Sequence, residues 1–248
     1  MNHLRVLSYN IHKGFNVSGR YFVLKQLRES IRNVNADIVF LQEVVGKSEA
    51  HRRRIKDYPV SSQIEYLAEG IWSHHVYGKN AVYSDGHHGN AILSKFTVDK
   101  WHNLDLSTNR WEKRGLLHAT LAISKTKKLQ ALSLHLDLSE RGRRIQIQKV
   151  CAYIKENFSK DDNLILAGDF NDWREVITKR LQTEVKLDEV HYATHKKHAR
   201  SFPSFFPVLC LDRIYFRRLT PIDAYILKDK KWSKLSDHSA LYAEFKLK

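Results

Sequence analysis

The feature that most constrains this chain is a set of short apolar runs, each of strand length and each followed by polar residues. The clearest is LILAGDFND, residues 164–172, in which an apolar segment leads to Asp169, Asn171 and Asp172. A short apolar run bounded by polar residues indicates a buried strand. Because Asp and Asn are also common turn formers, this segment taken singly slightly favours a turn over a functional site.

The same pattern recurs along the chain. The polar residues that follow apolar strands, or precede the last strand, are Asn10, Glu43, His135, Asp169, Asn171, Asp212, Asp237 and His238. Each has an ordinary structural explanation when considered by itself, such as a helix cap or a core histidine. Strand ends in α/β folds gather ligands, so the repetition predicts convergence on one site. A pocket of carboxylates, amides and imidazoles suits a hard divalent cation, and the sequence has no Cys spacing typical of structural zinc.

Strand and helix patterns alternate in the first half of the chain, and strands dominate the last third. Strands are predicted at 4–11, 37–44, 74–79, 89–96, 114–123, 129–138, 163–170, 209–216, 222–228 and 239–247. Helices are predicted at 21–34, 61–71, 141–158 and 174–185, and a loop at 80–88. This order predicts an α/β architecture of mixed sheets with helices on their outer faces.

Composition favours one domain spanning residues 1–248. The chain is 42% hydrophobic and has only four prolines and ten glycines, with no repeat and no linker-like stretch. The first residues contain no apolar signal-peptide core, and no apolar run approaches the ~20 residues of a membrane-spanning helix. We expect Cys151 and Cys210 to be buried thiols of a cytoplasmic protein, although one disulfide stays open as an alternative.

The formal charge is +15, with basic runs at 51–56, 141–144 and 195–200. A solvated surface explains a charge of a few units, but this charge exceeds what solubility requires. The composition therefore predicts a polyanionic partner, with nucleic acid as the first choice and an anionic membrane surface as the second.

Eight sequence blocks identify a resemblance. They are SYNIHKG, FLQEV, GNAILS, RGLL, LSLHL, GDFND, LDRIY and LSDHSAL, in this order, within residues 5–245. In these blocks the chain resembles the endonuclease/exonuclease/phosphatase superfamily, which includes deoxyribonuclease I, exonuclease III, neutral sphingomyelinases and inositol polyphosphate 5-phosphatases. The resemblance implies two packed mixed β-sheets flanked by helices, a four-layer deoxyribonuclease I-like sandwich. It also implies hydrolysis of phosphoesters with Mg²⁺, for which Mn²⁺ can substitute.

The resemblance implies catalytic roles for five residues. Asp169 and Asn171 would orient the attacking water and the scissile phosphate, and His238 would pair with Asp212 as the acid–base imidazole. His135 matches the second histidine of the deoxyribonuclease I and sphingomyelinase branches. These roles fit phosphodiester chemistry, which needs an activated water and help for the leaving oxygen.

The resemblance also implies a metal site and substrate contacts. Glu43 would ligate the metal, Asn10 would support the metal shell, and Asp237 would join it through water. The residues expected to bind substrate are Arg114, Asn90 and Trp173. Arg114 could bind a phosphate bidentately, and Trp173 directly follows the GDFND block, which makes it the best candidate for stacking on a base.

Departures from the family pattern narrow the range of expected substrates. His12 stands where exonuclease III-type abasic-site enzymes carry an Asp, and those enzymes lack a histidine matching His135. The signatures of the 5-phosphatases and the paired cysteines of secreted deoxyribonuclease I are also missing from the sequence. For His87 and His88 a solvated loop is favoured over a substrate contact. The chain is most similar to small bacterial members of the superfamily.

The leading hypothesis is a Mg²⁺-dependent DNA endonuclease with little sequence preference, acting as a monomer without stable membrane insertion. The second is a phospholipid phosphodiesterase, resembling sphingomyelinase, that acts at an anionic membrane. The segment FPSFFPVL, residues 202–209, is short and predicted to be a loop leading into a strand, so it does not favour lipid docking. The third hypothesis, a non-catalytic nucleic-acid-binding protein, is disfavoured because all matched catalytic positions are filled.

Overall fold

Two six-stranded mixed sheets form the centre of the computed structural model, which describes residues 3–83, 86–110 and 112–247. The first sheet contains β1 (His3–Asn10), β2 (Ile38–Ser48), β3 (His74–Tyr83), β4 (Gly86–Ser94), β11 (Thr220–Leu227) and β12 (Ala240–Lys246). The second contains β5 (Thr97–Asp105), β6 (Gly115–Ala122), β7 (Lys128–His135), β8 (Asn163–Asp169), β9 (Asp188–Glu189) and β10 (Asp212–Arg217). The strand orders are β11-β12-β1-β2-β4-β3 and β5-β6-β7-β8-β10-β9.

Helices connect these strands and cover the outer faces of both sheets. They are α1 (Leu24–Val34), α2 (Glu49–Arg54), α3 (Gln63–Ala68), α4 (Glu140–Asn157), α5 (Val176–Val185) and α6 (Val190–His195). Two short 3₁₀ helices lie at His12–Gly14 and Trp232–Lys234. Helix α1 joins the parallel strands β1 and β2, and α4 joins the parallel strands β7 and β8. In each case the helix is the crossover that a parallel pair requires.

Three apolar clusters hold the four layers together. The central cluster fills the space between the sheets with residues such as Phe40, Ile165 and Phe245, all fully buried. A second cluster packs α1 and α3 on the first sheet, and a third packs α4 and α5 on the second sheet. Burial of each such side chain contributes about 1.5–3 kcal/mol. The predicted four-layer deoxyribonuclease I-like fold is thereby confirmed.

Some local predictions were wrong. The predicted loop at 80–88 is largely strand, because β3 and β4 pair as far as Tyr83 and Gly86; residues 84–85 lie outside the described residues. Strand β5 was missed because it is a mostly exposed edge strand without an apolar alternation. The short helices α2 and α6 and strand β9 were missed too, since each has too few residues to show a period.

Cys151 and Cys210 are both buried and both free, so the predicted thiols are present and the alternative disulfide is not formed. Burial raises the pKa of the Cys151 thiol to about 11, which keeps it protonated at neutral pH. Among the described residues, no helix combines the length and the apolar character needed to cross a bilayer.

Candidate active site

The two sheets meet at one end of the sandwich, where three strands finish on polar residues. Strands β7 and β8 run parallel with His135 opposite Asp169, so both side chains emerge at the same edge of the second sheet. Asn10 ends β1 in the first sheet, and its Nδ2 atom donates to Asp169 Oδ2 at 3.2 Å. The predicted convergence of these strand ends therefore occurs across the seam between the sheets.

Gly168, just before Asp169, permits the close approach of β8 to β7. Its φ angle is +148°, and a Cβ atom at this position would lie 2.0 Å from the carbonyl oxygen of Leu134. No side chain fits at that distance, and the backbone conformation itself strongly favours glycine. The glycine of the GDFND block is thus explained by strand packing.

Asp212 joins the cluster by a different route from the predicted one. It begins strand β10, so the expectation that an apolar strand ends on this residue was wrong. Because β10 runs antiparallel to β8, its first residue lies opposite Asp169, the last residue of β8. Asp212 is fully buried, and its Oδ1 atom has no hydrogen-bond partner among the described residues.

His238 contacts both carboxylates. Its Nδ1 atom lies 2.8 Å from Asp212 Oδ2, and its Nε2 atom lies 3.7 Å from Asp169 Oδ2. Burial by itself lowers the pKa of His238, but the charges of Asp212 and Asp169 outweigh this and raise the pKa to about 10. The imidazole is therefore a protonated acid held between two carboxylates. The ring of Phe202 packs against it with centroids 4.9 Å apart.

Asp169 is the most heavily contacted carboxylate of the site. Asn171 donates its backbone N–H to Asp169 Oδ1 at 3.0 Å, and His135 Nε2 lies 3.4 Å from Oδ2. Burial raises the pKa of Asp169, while the positive charge of His238 lowers it, and the net result is a raised pKa. Asn171 has a positive φ of +50°, and its side-chain amide donates to the carbonyl of Leu136 at 3.0 Å. That bond fixes the turn after β8.

His135 is a neutral imidazole. Burial lowers its pKa well below the ordinary value, and the nearby positive charge of Arg114 lowers it further. Arg114 is largely buried and pairs with Glu112, while its Nε atom has no hydrogen-bond partner among the described residues. Because Nε is buried, the terminal nitrogens of this guanidinium are the groups that can meet an anion such as a phosphate oxygen.

Glu43 and Asn10 form the other side of the site, with Asn10 Nδ2 3.4 Å from Glu43 Oε1. The expectation that a strand ends on Glu43 was wrong, since β2 continues to Ser48. The pairing of β2 with β4 shifts register between Leu41 and Val44, and Glu43 has a φ of +56°. Such a conformation costs a non-glycine residue about 1–3 kcal/mol, and the bulge turns the carboxylate towards Asn10.

Asp237 is connected to Asn10 through two neighbouring residues. His12 Nδ1 is 3.6 Å from Asp237 Oδ1, and the His12 backbone N–H donates to Asn10 Oδ1 at 3.1 Å. Ser236 donates its hydroxyl to the Asn10 carbonyl at 2.7 Å, which ties the segment before β12 to the end of β1. Glu43 therefore contacts Asn10 directly, and Asp237 is linked to Asn10 through His12 and Ser236, while a shared metal site of the three stays a prediction.

Two groups of residues could hold a cation. Asp169, Asp212 and His238 present ligand atoms within 4.8 Å of one another. Within this group, His238 Nδ1 is already engaged by Asp212 and its Nε2 lies 3.7 Å from Asp169, so these side chains contact one another. Glu43 is half-buried and the Asp237 side chain is 29% exposed, and both offer hard oxygen atoms. These two residues suit Mg²⁺ better, and the buried carboxylates beside them increase the negative potential.

The predicted substrate-binding residues differ in position. Arg114 lies beside His135, as described above. Asn90 is buried, and its amide nitrogen donates to the carbonyls of Gly115 at 3.0 Å and Ser133 at 3.4 Å, so it bridges the two sheets. Trp173 is 43% exposed and stacks on the guanidinium of Arg143, 4.4 Å from the ring centroid. Substrate binding by Asn90 and Trp173 stays a prediction.

His88 was underestimated from the sequence. It lies on β4 rather than in a solvated loop. Burial and the charge of Lys13 lower its pKa, whereas Glu43 raises it, and the result is about 4. The neutral His88 ring is therefore close enough to Glu43 for the charge of that carboxylate to act on its pKa. The available signal was that His88 and Asn90, two residues apart on one strand, share a face of the sheet.

Comparisons of sequence and of structure with known proteins find the same family of proteins. The model of the endonuclease/exonuclease/phosphatase family matches residues 7–238. YbhP of Escherichia coli (strain K12) is 41% identical over 244 residues, which are 98% of this chain and 96% of that protein.

Solved structures show the same fold at low identity. The endonuclease/exonuclease/phosphatase of Beutenbergia cavernae DSM 12333 superposes with a TM-score of 0.78 at 17% identity, covering 100% of this chain and 72% of that one. D. rerio TDP2, complexed with a single-strand DNA product, superposes with a TM-score of 0.69 at 18% identity, covering 98% of each chain.

Proposed function

Because this chain belongs to the endonuclease/exonuclease/phosphatase family, whose members hydrolyse phosphoester bonds, we propose that it is a divalent-metal-dependent phosphodiesterase that cleaves DNA. We propose endonucleolytic cleavage with little sequence preference. The observation that carries the proposal is the buried cluster of Asp169, Asp212 and His238 next to Asn10 and Glu43. A family match by itself would also fit an inactive protein, whereas this cluster contains an acid, a carboxylate and oxygen ligands.

The side chains of the site have separate proposed roles, which follow from their positions. His238, held by Asp212 at Nδ1, presents its Nε2 proton towards the seam, where it can protonate the leaving oxygen. Asp169 accepts hydrogen bonds from Asn10 and the Asn171 backbone, and it orients the attacking water.

The remaining groups act on the phosphate. Neutral His135 and the terminal guanidinium nitrogens of Arg114 can hydrogen-bond the non-bridging oxygens, whereas Arg114 Nε is buried. Glu43 and Asp237 would hold Mg²⁺, or Mn²⁺ in its place, and the bound cation supplies charge neutralisation on the phosphate oxygens.

DNA is the proposed substrate on two grounds. The formal charge of +15 favours a polyanion, and the structure of D. rerio TDP2 contains a single-strand DNA product. His12 contacts Asp237 where abasic-site enzymes carry an Asp, which argues against a dedicated repair nuclease. We also propose that residues 1–248 form a single domain that acts as a cytoplasmic monomer, to be tested by scattering in solution and by fractionation.

A substrate panel tests the proposed function. Supercoiled plasmid, single-stranded DNA, RNA, abasic duplex and anionic phospholipid vesicles are incubated with Mg²⁺, Mn²⁺, Ca²⁺ or EDTA. We expect nicking of plasmid with Mg²⁺ or Mn²⁺ and none in EDTA, because the proposed metal supplies charge neutralisation on the phosphate and oxygen ligands hold these hard cations. Full hydrolysis in EDTA would contradict the mechanism, and faster turnover of lipid without nicking would favour the phospholipid phosphodiesterase.

A matched pair of variants separates the metal site from surface charge. Glu43→Gln removes one oxygen charge at the proposed metal site and should raise the Mg²⁺ concentration needed for half-maximal activity. Glu49→Gln, on helix α2, removes the same charge from a surface helix and should behave like the wild type. Equal metal requirements in the two variants would mean that Glu43 is not a ligand.

A further inference from the structure

The surface next to the site carries two exposed aromatic side chains. Phe205 is 68% exposed and Phe206 is 70% exposed, and together they are named here the aromatic tip. They lie in the loop that connects α6 to β10. Exposure of large apolar side chains to water is unfavourable, so two in succession mark a contact surface.

The aromatic tip is attached rigidly to the catalytic residues. Ser204 donates its backbone N–H to the Asp237 carbonyl at 2.7 Å and its hydroxyl to the Ser236 carbonyl at 2.6 Å. At the base of the loop, Ser201 Oγ accepts the backbone N–H of Asp212 at 3.1 Å. The tip is thus positioned by bonds to the segments that carry two site carboxylates, and Phe202 of the same loop packs on His238.

A basic pocket adjoins the same loop. It has a volume of about 620 Å³, and Pro207 and Cys210 of the loop contribute to its wall. Its lining cations, which define the pocket here, are Lys196, Lys197, Arg200 and Lys228. None of these four forms an ion pair with a carboxylate of the described residues. Glu175 is the opposing carboxylate in the lining, so the pocket keeps a clear positive charge.

The combination fits a nucleic-acid strand better than a membrane. A bilayer is a broad surface that cannot enter a concave pocket, whereas a sugar–phosphate backbone can follow one. Single-strand binding proteins use this pairing of cations for phosphates with aromatic rings for bases. From the catalytic site to the aromatic tip to the basic pocket, one loop offers a place for a phosphate, a base and a further phosphate.

We infer that the aromatic tip stacks on an unpaired base next to the scissile phosphate and that the basic pocket binds a neighbouring phosphate of the same strand. This inference rests on the proposed function and deepens it, because it names single-stranded or locally unpaired nucleic acid as the preferred substrate. The side chains concerned are Phe205, Phe206, Lys197 and Lys228.

The test for the aromatic tip uses the full chain and two fluorescent DNA oligomers of equal length, one with bases and one with abasic spacers. The double variant Phe205→Ala/Phe206→Ala should raise KM for the base-containing oligomer on the order of 10-fold, the loss expected for one stacked base. The effect on the abasic oligomer should be smaller, because it has no base to stack. Trp101→Ala removes a 53% exposed aromatic ring from β5 and serves as the matched control.

The basic pocket is tested by salt dependence. Lys197→Gln/Lys228→Gln should weaken oligomer binding and make its log–log salt slope shallower by about 1 to 2, since phosphate contacts are lost. Lys125→Gln/Lys160→Gln removes two exposed lysines elsewhere and should leave the slope unchanged. Melting temperatures of all variants show whether they are folded.

The outcomes separate this inference from the proposed function. If the wild type cleaves no nucleic acid, the proposed function fails. If the wild type cleaves but the tip variant equals Trp101→Ala, the inference is overturned while the proposed function stands. If the tip variant loses only binding to phosphatidylglycerol vesicles, the tip is a membrane contact and the inference is also overturned.

Discussion

Asp169 and Asp172 belong to the same short motif but contact different partners. Asp169 faces the seam between the sheets, whereas Asp172 pairs with the fully buried Arg213 at 2.9 Å. Asp172 Oδ2 also accepts the backbone N–H of Ile177 at 2.9 Å, at the first turn of α5. One carboxylate of the motif is therefore placed for chemistry, and the other holds the loop after β8 in position.

Removal of the Asp172 carboxylate should destabilise the fold strongly. Asp172→Ala leaves the Arg213 charge buried without its partner, and the expected loss is about 3–5 kcal/mol of the free energy of unfolding. Glu140→Ala breaks the exposed pair with Arg174 and should cost less than about 1 kcal/mol. Urea unfolding of both variants measures the difference, and similar losses would contradict the structural role of Asp172.

The imidazole should be essential for turnover but not for folding. His238→Ala removes the acid between Asp212 and Asp169, so kcat on plasmid should fall by roughly 10²–10⁴-fold. The variant leaves Asp212 and Asp169 buried without their cation, so the melting temperature should fall, but the three apolar clusters stay intact and the protein should still fold. A folded variant with near wild-type kcat would show that another group protonates the leaving oxygen.

At the scale of elements, the sequence predicted most of what depends on local pattern. Asn10, His135 and Asp169 were placed correctly at strand ends, because a short apolar run followed by a polar residue is visible within a few residues. Asp212 was placed at the wrong end of its strand, since strand direction depends on a partner distant in sequence. The bulge at Glu43 was missed for the same reason, because register is a property of two strands together.

The hairpin of β6 and β7 contains a pH-sensitive contact that is remote from the site. His118 Nε2 lies 2.9 Å from Gln130 Oε1, and its Nδ1 lies 2.9 Å from the Tyr153 hydroxyl. Burial lowers the pKa of His118, against the raising effect of Gln130, so the folded state binds a proton less readily than the unfolded chain. Neutral His118 therefore contributes to the free energy of unfolding. This contribution is complete above about pH 6.5, the pKa in the unfolded chain, and is lost as the pH falls below it.

A histidine variant measures that contribution. His118→Gln cannot take up a proton, so its free energy of unfolding should fall less between about pH 8 and about pH 5 than that of the wild type. The same change at His75, an exposed histidine on β3 of the first sheet, is the control and should leave the wild-type pH dependence intact. An unchanged pH dependence in His118→Gln would assign the effect to other groups.

At the scale of the whole molecule, the positive charge predicts how DNA binding depends on salt. Asp169→Ala, in the presence of Mg²⁺, should bind duplexes of unrelated sequence with similar affinity, because phosphate contacts carry no sequence information. The log–log plot of affinity against salt should have a slope of about −3 or steeper, which corresponds to several neutralised phosphates. A slope near zero would remove the electrostatic argument for a nucleic-acid partner.

The first sheet takes its strands from both ends of the described chain, and this has a consequence for biosynthesis. Strand β12 lies between β11 and β1, with Lys246 opposite His3, and Asp237 and His238 immediately precede it. A ribosome therefore makes the whole second sheet before the first can close. His238 and β12 follow every strand of the second sheet in the chain, so His238 is the last of the clustered side chains to be synthesised. The candidate site is therefore assembled only after β12 has inserted beside β1.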